Sequence, residues 1–237
     1  IFTDQVEPYA LAQIQMICDN EVSKESRIRI MPDVHPGKVG PIGLTMTVKK
    51  RVLPNLIGAD IGCGVTAAVI KKQKVDGQRM DTVIRERIPS GFAVRKKIHR
   101  FYEELNLDNL RCIRHINREK AAASLGTLGG GNHFIEVDRA EDGRLFLVVH
   151  SGSRHLGTEV ANFYQEEGRR ALWGGAHYQI QAAIARLKAE GRFQEIQRTI
   201  KGLKREHELH IPRDLAYVEG KLFEDYIHDM RLTQRFA

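Results

Sequence analysis

Short apolar segments, each about as long as a β-strand, alternate with Gly- and Pro-containing turns in the first part of the chain. The segment 145–149 is the clearest buried strand. From Gly157 onward, the apolar residues recur mostly at helical spacing instead. We therefore predict an α+β fold that forms one domain over residues 1–237, with a strand-rich core carrying Gly-rich loops (1–157) and a helical layer (158–237).

The same periodicity assigns the individual elements. Apolar residues at helical spacing follow Pro8, a residue that suits the first turn of a helix. Glycine and proline predict helix breaks near Gly174, Gly191 and Pro212. Predicted strands cover residues 28–31, 42–48, 57–61, 65–70, 134–137 and 145–149, and predicted helices cover residues 8–18, 80–87, 94–105 and 117–125, with a helical hairpin over 180–204.

Composition indicates which kinds of partner and compartment suit the chain. The formal net charge is +7 and the sequence pI is about 9.4, which favours a polyanion such as nucleic acid. Many basic proteins nevertheless bind nothing acidic. Three cysteines, Cys18, Cys63 and Cys112, are too few for a disulfide framework and fit a reducing cytosol. No apolar run approaches the roughly 20 residues that span a bilayer, so we expect a cytoplasmic protein outside the membrane.

The loop 58–64 places two potential metal ligands between apolar segments. Asp60 and Cys63 are three residues apart, and Gly62 and Gly64 allow backbone angles that other residues avoid. Such a turn can direct a carboxylate and a thiolate toward one point, and this pair of groups suits a borderline divalent metal ion. A buried cysteine in a tight glycine turn is the alternative interpretation.

The loop 126–134 contains four glycines within six residues and is a candidate anion cradle. Backbone N–H groups at Gly131 and its neighbours are open to a phosphate group. Asn132 could then hydrogen-bond a phosphate oxygen or a nucleotide, and His133 could ligate a metal ion. A flexible turn with a structural histidine is the alternative.

The segment after the strand 145–149 begins with His150, at a point where a loop leaves a rigid scaffold. Ser151 and Arg154 offer a hydroxyl and a guanidinium group, both suitable for phosphate. A satisfied core histidine and a surface ion pair are the ordinary alternatives for His150 and Arg154.

The segment 31–38 follows a predicted strand and ends in a Pro-Gly turn. Asp33 or His35 could orient a metal ligand, and Lys38 could bind phosphate. An ordinary polar turn explains the same residues equally well.

Asp60, Cys63, His133 and His150 together form a mixed set of oxygen, sulfur and nitrogen ligands. All four lie where an apolar strand meets a Gly-rich turn, and phosphate-binding groups are adjacent in the sequence. The combination predicts a metal site for phosphate chemistry.

The order and spacing of five motifs resemble the RtcB-type RNA ligases over almost the whole chain. The resemblance implies a GTP- and Mn²⁺-dependent enzyme that acts in RNA repair or tRNA splicing. Such enzymes join RNA 3′-phosphate or 2′,3′-cyclic phosphate ends to 5′-hydroxyl ends. The motifs are residues 31–35, 60–64, 126–134, 150–154 and 215–226.

The resemblance also implies roles for individual residues around two Mn²⁺ ions. Cys63 would bridge the ions, Asp60 and His133 would hold one of them, and His150 would help to hold the other. It further implies nucleotide-binding residues (Asn132, Gly131 and Ser151) and residues that orient ligands or contact RNA or phosphate (Asp33, His35, Lys38 and Arg154).

The histidine that carries GMP in this family has no match in these 237 residues, so the sequence assigns no catalytic residue. We expect RNA ends and GTP as partners, and the sequence does not identify an activating protein. Two alternatives stay open. One is a truncated, non-catalytic paralogue that binds metal and RNA, and the other is a metal-dependent phosphatase or nuclease.

Overall fold

The computed structural model describes residues 1–71, 74–206 and 212–237, without the side chains of residues 175–179 and 204–206. Helices and short antiparallel sheets within these residues form a mixed α+β structure, as predicted. The helices are α1 (Pro8–Cys18), α2 (Pro54–Ile57), α3 (Gly77–Arg87), α4 (Arg118–Ser124), α5 (Arg154–Ala189), α6 (Ile196–Glu206) and α7 (Gly220–Phe236). The strands are β1 (Ile28–His35), β2 (Ile42–Met46), β3 (Arg51–Val52), β4 (Gly64–Ile70), β5 (Phe134–Arg139), β6 (Leu145–Ser151) and β7 (Val218–Glu219).

The chain divides into two compact units. Unit 1 comprises Ile1–Ile57 and Tyr164–Glu224, and unit 2 comprises Gly58–Phe163 and Asp225–Ala237. These limits differ from the division after residue 157 that the sequence suggests. The assignment of a single ligase-like domain therefore stays a prediction.

Unit 1 contains α1 and two antiparallel strand pairs, β1 with β2 and β3 with β7. Pro8 lies in the first turn of α1, where its missing N–H costs no helical hydrogen bond. Ala10 and Ile14 of α1 then pack against Ile30 and Val34 of β1 in one apolar cluster. The segment 31–38 therefore belongs to unit 1.

The frame of unit 2 is a three-stranded antiparallel sheet with the order β4–β6–β5. In the central strand β6, His150 pairs with Val65 of β4 on one side and with Phe134 of β5 on the other. Antiparallel pairing places the beginnings of β4 and β5 beside the end of β6. This end of the sheet carries the residues of the candidate site.

A buried carboxylate joins α7 to the rest of unit 2. Asp229 is fully buried and accepts hydrogen bonds from the backbone N–H groups of Arg111 (2.8 Å) and Cys112 (3.0 Å). Buried polar groups need such partners, so the pairing holds the C-terminal helix against the segment around Cys112.

One predicted strand, the first part of the helix predicted at 94–105 and the predicted helix break near Gly174 are wrong. Residues 57–61 are not a strand, because Pro54 begins the short helix α2 and the chain then turns through Gly58, which has a φ of 81°. Residues 94–99 are not helical, because the backbone N–H of Arg95 donates to the carbonyl of Ala123 at 2.8 Å. Helix α5 continues through Gly174, since a glycine costs a helix only about 1 kcal/mol.

The two helices predicted over residues 180–204 and the break between them are confirmed, because α5 ends before Gly191 and α6 follows; their packing as a hairpin stays a prediction. Pro212 caps a 3-10 helix at Arg213–Leu215, and residues 207–211 before it lie outside the described residues. No helix in the described part of the chain has both the length and the apolar character that crossing a bilayer requires.

Candidate metal centre

The topology of unit 2 brings three potential ligands to one end of its sheet. Cys63 immediately precedes β4, His133 immediately precedes β5, and His150 is the penultimate residue of β6. Because these strands are antiparallel neighbours, residues far apart in the sequence become adjacent in space.

The three side chains direct their ligand atoms toward one another. The sulfur of Cys63 lies 3.0 Å from Nε2 of His150 and 3.8 Å from Nε2 of His133. All three ligand atoms lie within 4.8 Å of one another. Sulfur and imidazole nitrogen so arranged can bind a transition-metal ion, for which both are good donors.

The orientation of His133 is fixed on both sides of its ring. Its Nδ1 lies 2.9 Å from the carbonyl oxygen of Leu128, and its Nε2 lies 2.9 Å from Oδ2 of Asp60. A carbonyl oxygen can only accept, so we assign the proton of the neutral ring to Nδ1. The Nε2 lone pair then faces a carboxylate, and this contact is favourable only with a proton or a metal ion shared between the two groups.

Cys63 is held in surroundings that oppose a bare thiolate. Partial burial raises the pKa of its thiol, and the negative charge and hydrogen bonding of Asp60 raise that pKa further. A bound divalent cation reverses this balance, because its charge favours the thiolate and the carboxylate together.

Asp60 reaches the site through a tight turn and a close contact with β6. The backbone N–H of Cys63 donates to the carbonyl oxygen of Asp60 at 3.1 Å, which closes the turn. The Asp60 carboxylate lies directly against Gly152, where even a methyl group would overlap it. Gly152 is therefore a positioning residue, which the sequence motif alone does not reveal.

Arg154 lies behind His133. It has a φ of 55°, which is unusual for a residue other than glycine. Its Nη2 donates to the carbonyl oxygen of Gly91 at 3.2 Å, and its Nη1 lies 3.3 Å from Nδ1 of His133. Because His133 already donates to Leu128 at the shorter distance, we regard the contact between Arg154 and His133 as close packing. The guanidinium group lies directly on Gly129.

The remaining predicted site residues are only partly brought together. Gly131 and Asn132 are exposed immediately before His133, and the Ser151 hydroxyl donates to the carbonyl oxygen of Leu128 at 3.2 Å. Asp33, His35 and Lys38 belong to unit 1 and are exposed there. Nδ1 of His35 lies 2.8 Å from the Asp33 carbonyl oxygen.

The sequence matches one known protein family over most of its length. The profile of the family described as "tRNA-splicing ligase RtcB" matches residues 20–111 and 102–237. The chain therefore belongs to the RtcB family.

Individual members of the family are similar at moderate identity. RNA-splicing ligase RtcB of Escherichia coli K12 is 28% identical over 233 residues, covering 89% of this chain and 49% of that protein. RNA-splicing ligase RtcB2 of another Escherichia coli strain is 31% identical over 188 residues, covering 68% of this chain and 43% of that protein. The tRNA-splicing ligase RtcB of Thermococcus kodakarensis is 27% identical over 188 residues, covering 57% and 39%. The chain thus spans about half the length of the Escherichia coli K12 protein and a smaller share of the other two relatives.

Proposed function

We propose that this chain forms the metal-binding part of a cytoplasmic, GTP- and Mn²⁺-dependent RNA ligase. The ligase would join RNA 3′-phosphate or 2′,3′-cyclic phosphate ends to 5′-hydroxyl ends, in RNA repair or tRNA splicing. The observation that carries the proposal is the convergence of Cys63, His133 and His150 at one end of a sheet, in a chain of the RtcB family.

Two Mn²⁺ ions would be held by the cluster and Asp60. Asp60 and His133 would hold one ion, His150 would contribute to the other, and Cys63 would be shared by both. The 2.9 Å approach of the Asp60 carboxylate to Nε2 of His133 is favourable with a proton or a metal ion shared between them, and a metal ion would satisfy both groups. When bound, the metal ions would neutralise charge on the reacting phosphates.

The residues around the cluster have separate tasks in this proposal. Leu128 holds the His133 ring by its carbonyl oxygen and so leaves Nε2 on the side of Cys63 and Asp60, where it would bind a metal ion. Asn132 and the backbone of Gly131 are exposed beside it and bind the phosphates of GTP, with Ser151 completing that side. Arg154 contacts phosphate or RNA. Within unit 1, the exposed Asp33, His35 and Lys38 would bind RNA or phosphate.

The reaction requires a histidine that no residue of this chain matches. In such a ligase that nitrogen would displace pyrophosphate from the α-phosphate of GTP and form a phosphorus–nitrogen bond to GMP. GMP would then pass to the RNA 3′-phosphate and leave when the 5′-hydroxyl of the second RNA end attacks that phosphate.

A second candidate function is a non-catalytic paralogue that binds metal and RNA ends. The group of Cys63, His133 and His150 favours metal binding whether or not ligation follows. A metal-dependent phosphatase or nuclease is a third outcome, because two adjacent metal ions can activate water.

The test is to incubate the native gene product with Mn²⁺, α-labelled GTP and two RNA strands, one ending in a 3′-phosphate and one beginning with a 5′-hydroxyl. Joined RNA and label that survives denaturation of the protein are expected. Bound Mn²⁺ with neither product supports the non-catalytic candidate. Phosphate release or RNA cleavage without GTP supports the phosphatase or nuclease.

A further inference from the structure

A surface strip in unit 2 combines exposed aromatic, aliphatic and basic side chains over residues 91–101. We call it the basic–aromatic strip. Phe92 is fully exposed, at 105% of its reference area, while Ile98 is 59% and Phe101 is 48% exposed. Several large exposed apolar side chains within one short segment mark a binding surface more often than a single one does.

The strip is also strongly basic. It contains four lysine and arginine residues and no aspartate or glutamate. Lys96, Lys97 and Arg100 are exposed, and none of them takes part in the ion pairs found among the described residues of unit 2. The Arg100 guanidinium lies 5.0 Å from the ring centre of Phe101, so cation and aromatic ring form one surface.

Hydrogen bonds fix the strip to the end of α4 and to the Gly-rich loop 126–131. The backbone N–H of Arg95 donates to the carbonyl oxygen of Ala123 at 2.8 Å, and its guanidinium donates to the carbonyl oxygen of Gly126 at 3.2 Å. The N–H of Gly91 donates to the carbonyl oxygen of Gly129 at 2.8 Å. The exposed side chains therefore project from a backbone that is hydrogen-bonded to its neighbour.

The same contacts lead directly to the candidate metal centre. Gly91, next to Phe92, accepts a hydrogen bond from Arg154. Arg154 in turn approaches His133 to 3.3 Å. A strand lying on the basic–aromatic strip would thus pass beside the loop that precedes a proposed metal ligand.

We propose that the basic–aromatic strip binds the single-stranded part of an RNA whose end lies at the metal centre. Phe92 stacks on an unpaired base, and Lys96 and Lys97 bind backbone phosphates. A duplex hides its base faces and offers nothing for a fully exposed ring to stack on. A protein partner is disfavoured, because the cores of protein interfaces are depleted of lysine. The choice of RNA rests on the proposed function, but binding by the strip does not require ligation.

The experiment measures binding of a fluorescent single-stranded RNA with a 3′-phosphate to the full 237-residue chain, by anisotropy at several salt concentrations without GTP. Phe92→Ala is expected to weaken binding about 5- to 150-fold, the range for loss of one stacked base. The logarithm of the binding constant falls linearly with the logarithm of the salt concentration, and each phosphate contact contributes about 0.7 to the steepness of this line. The double variant Lys96→Gln/Lys97→Gln loses two contacts and is therefore expected to make the line shallower by about 1.4.

Matched controls come from unit 1. Phe193 is 62% exposed, and Lys49 and Lys50 are adjacent exposed lysines. Phe193→Ala and Lys49→Gln/Lys50→Gln are expected to bind RNA like the unaltered chain. Circular dichroism should show that all variants fold alike, because the altered side chains are exposed.

The outcomes separate this inference from the proposed function. RNA binding by the strip is refuted if the strip variants and their controls change the affinity equally. It is also refuted if the chain binds a duplex more tightly than the single strand. Selective loss of binding in the strip variants supports it, even where the native gene product fails to join RNA. If the native gene product joins RNA but the strip variants bind RNA as the unaltered chain does, the proposed ligase function stands and RNA binding by the strip is refuted.

Discussion

The packing of Arg154 on Gly129 allows a sharp test with a matched control. Gly129 has a φ of 84°, and a methyl group there would overlap the Arg154 guanidinium. Gly131 has nearly the same backbone, with a φ of 79°, but a methyl group there would meet nothing within 4 Å. Gly129→Ala and Gly131→Ala thus share the backbone cost, and only the first displaces Arg154.

The cost of each substitution combines the backbone strain with the loss of the contacts of Arg154. The left-handed backbone costs an alanine about 1–2 kcal/mol at either position. Displacing Arg154 also removes its charged hydrogen bond to Gly91, which contributes about 1.5–3 kcal/mol. We therefore expect Gly129→Ala to lower the free energy of unfolding by about 1.5–3 kcal/mol more than Gly131→Ala does.

Urea unfolding followed by circular dichroism measures the difference, provided that the two variants have the same m-value. In an Arg154→Ala background the two glycine substitutions are expected to cost the same, because the overlap is gone. Equal costs in the unaltered background, or a difference that persists without Arg154, would refute the packing of Arg154 on Gly129.

Three further predictions concern Asp60, Cys112 and Asp229. Gly152→Ala is expected to displace the Asp60 carboxylate and to weaken Mn²⁺ binding, measured by calorimetry, at least about tenfold. Gly77→Ala should have no effect, because a methyl group at Gly77 meets nothing within 4 Å. Equal Mn²⁺ affinities of the two variants would contradict the contact between Gly152 and Asp60. Burial raises the pKa of the Cys112 thiol, and the charge of Asp229 raises it further, so at pH 8 a thiol reagent should label the exposed Cys18 but reach Cys112 only after denaturation; labelling of Cys112 as fast as Cys18 would refute this. Asp229→Ala is expected to lower the free energy of unfolding by about 2–5 kcal/mol, because the buried N–H of Cys112 and the partly buried N–H of Arg111 lose their acceptor. Asp108→Ala on the surface should change it little, and similar costs would show that the buried pairing is unimportant.

Residues with a strong local signal were predictable from the sequence. The apolar run before His150 predicts β6, and a cysteine and a histidine before two further apolar runs predict ligands at strand ends. Antiparallel pairing then brings Cys63, His133 and His150 together. Their role as metal ligands stays a prediction.

The contacts that orient these ligands were not predictable, because they involve backbone atoms or the absence of a side chain. The Leu128 carbonyl oxygen holds His133, and Gly152 leaves room for Asp60. Neither residue type signals such a contact in a sequence. Helical spacing in residues 94–99 was misleading for a related reason, since the Arg95 N–H bonds to a distant carbonyl group at Ala123.

The central claim is that Cys63 lies at the middle of a Mn²⁺ site in this chain. The most direct measurement is calorimetric titration of Mn²⁺ into the unaltered chain, Cys63→Ala and Cys18→Ala, since Cys18 is an exposed cysteine in unit 1. We predict that the unaltered chain and Cys18→Ala bind two ions alike, and that Cys63→Ala loses this binding. Mn²⁺ binding by Cys63→Ala with unchanged affinity and stoichiometry would contradict the account.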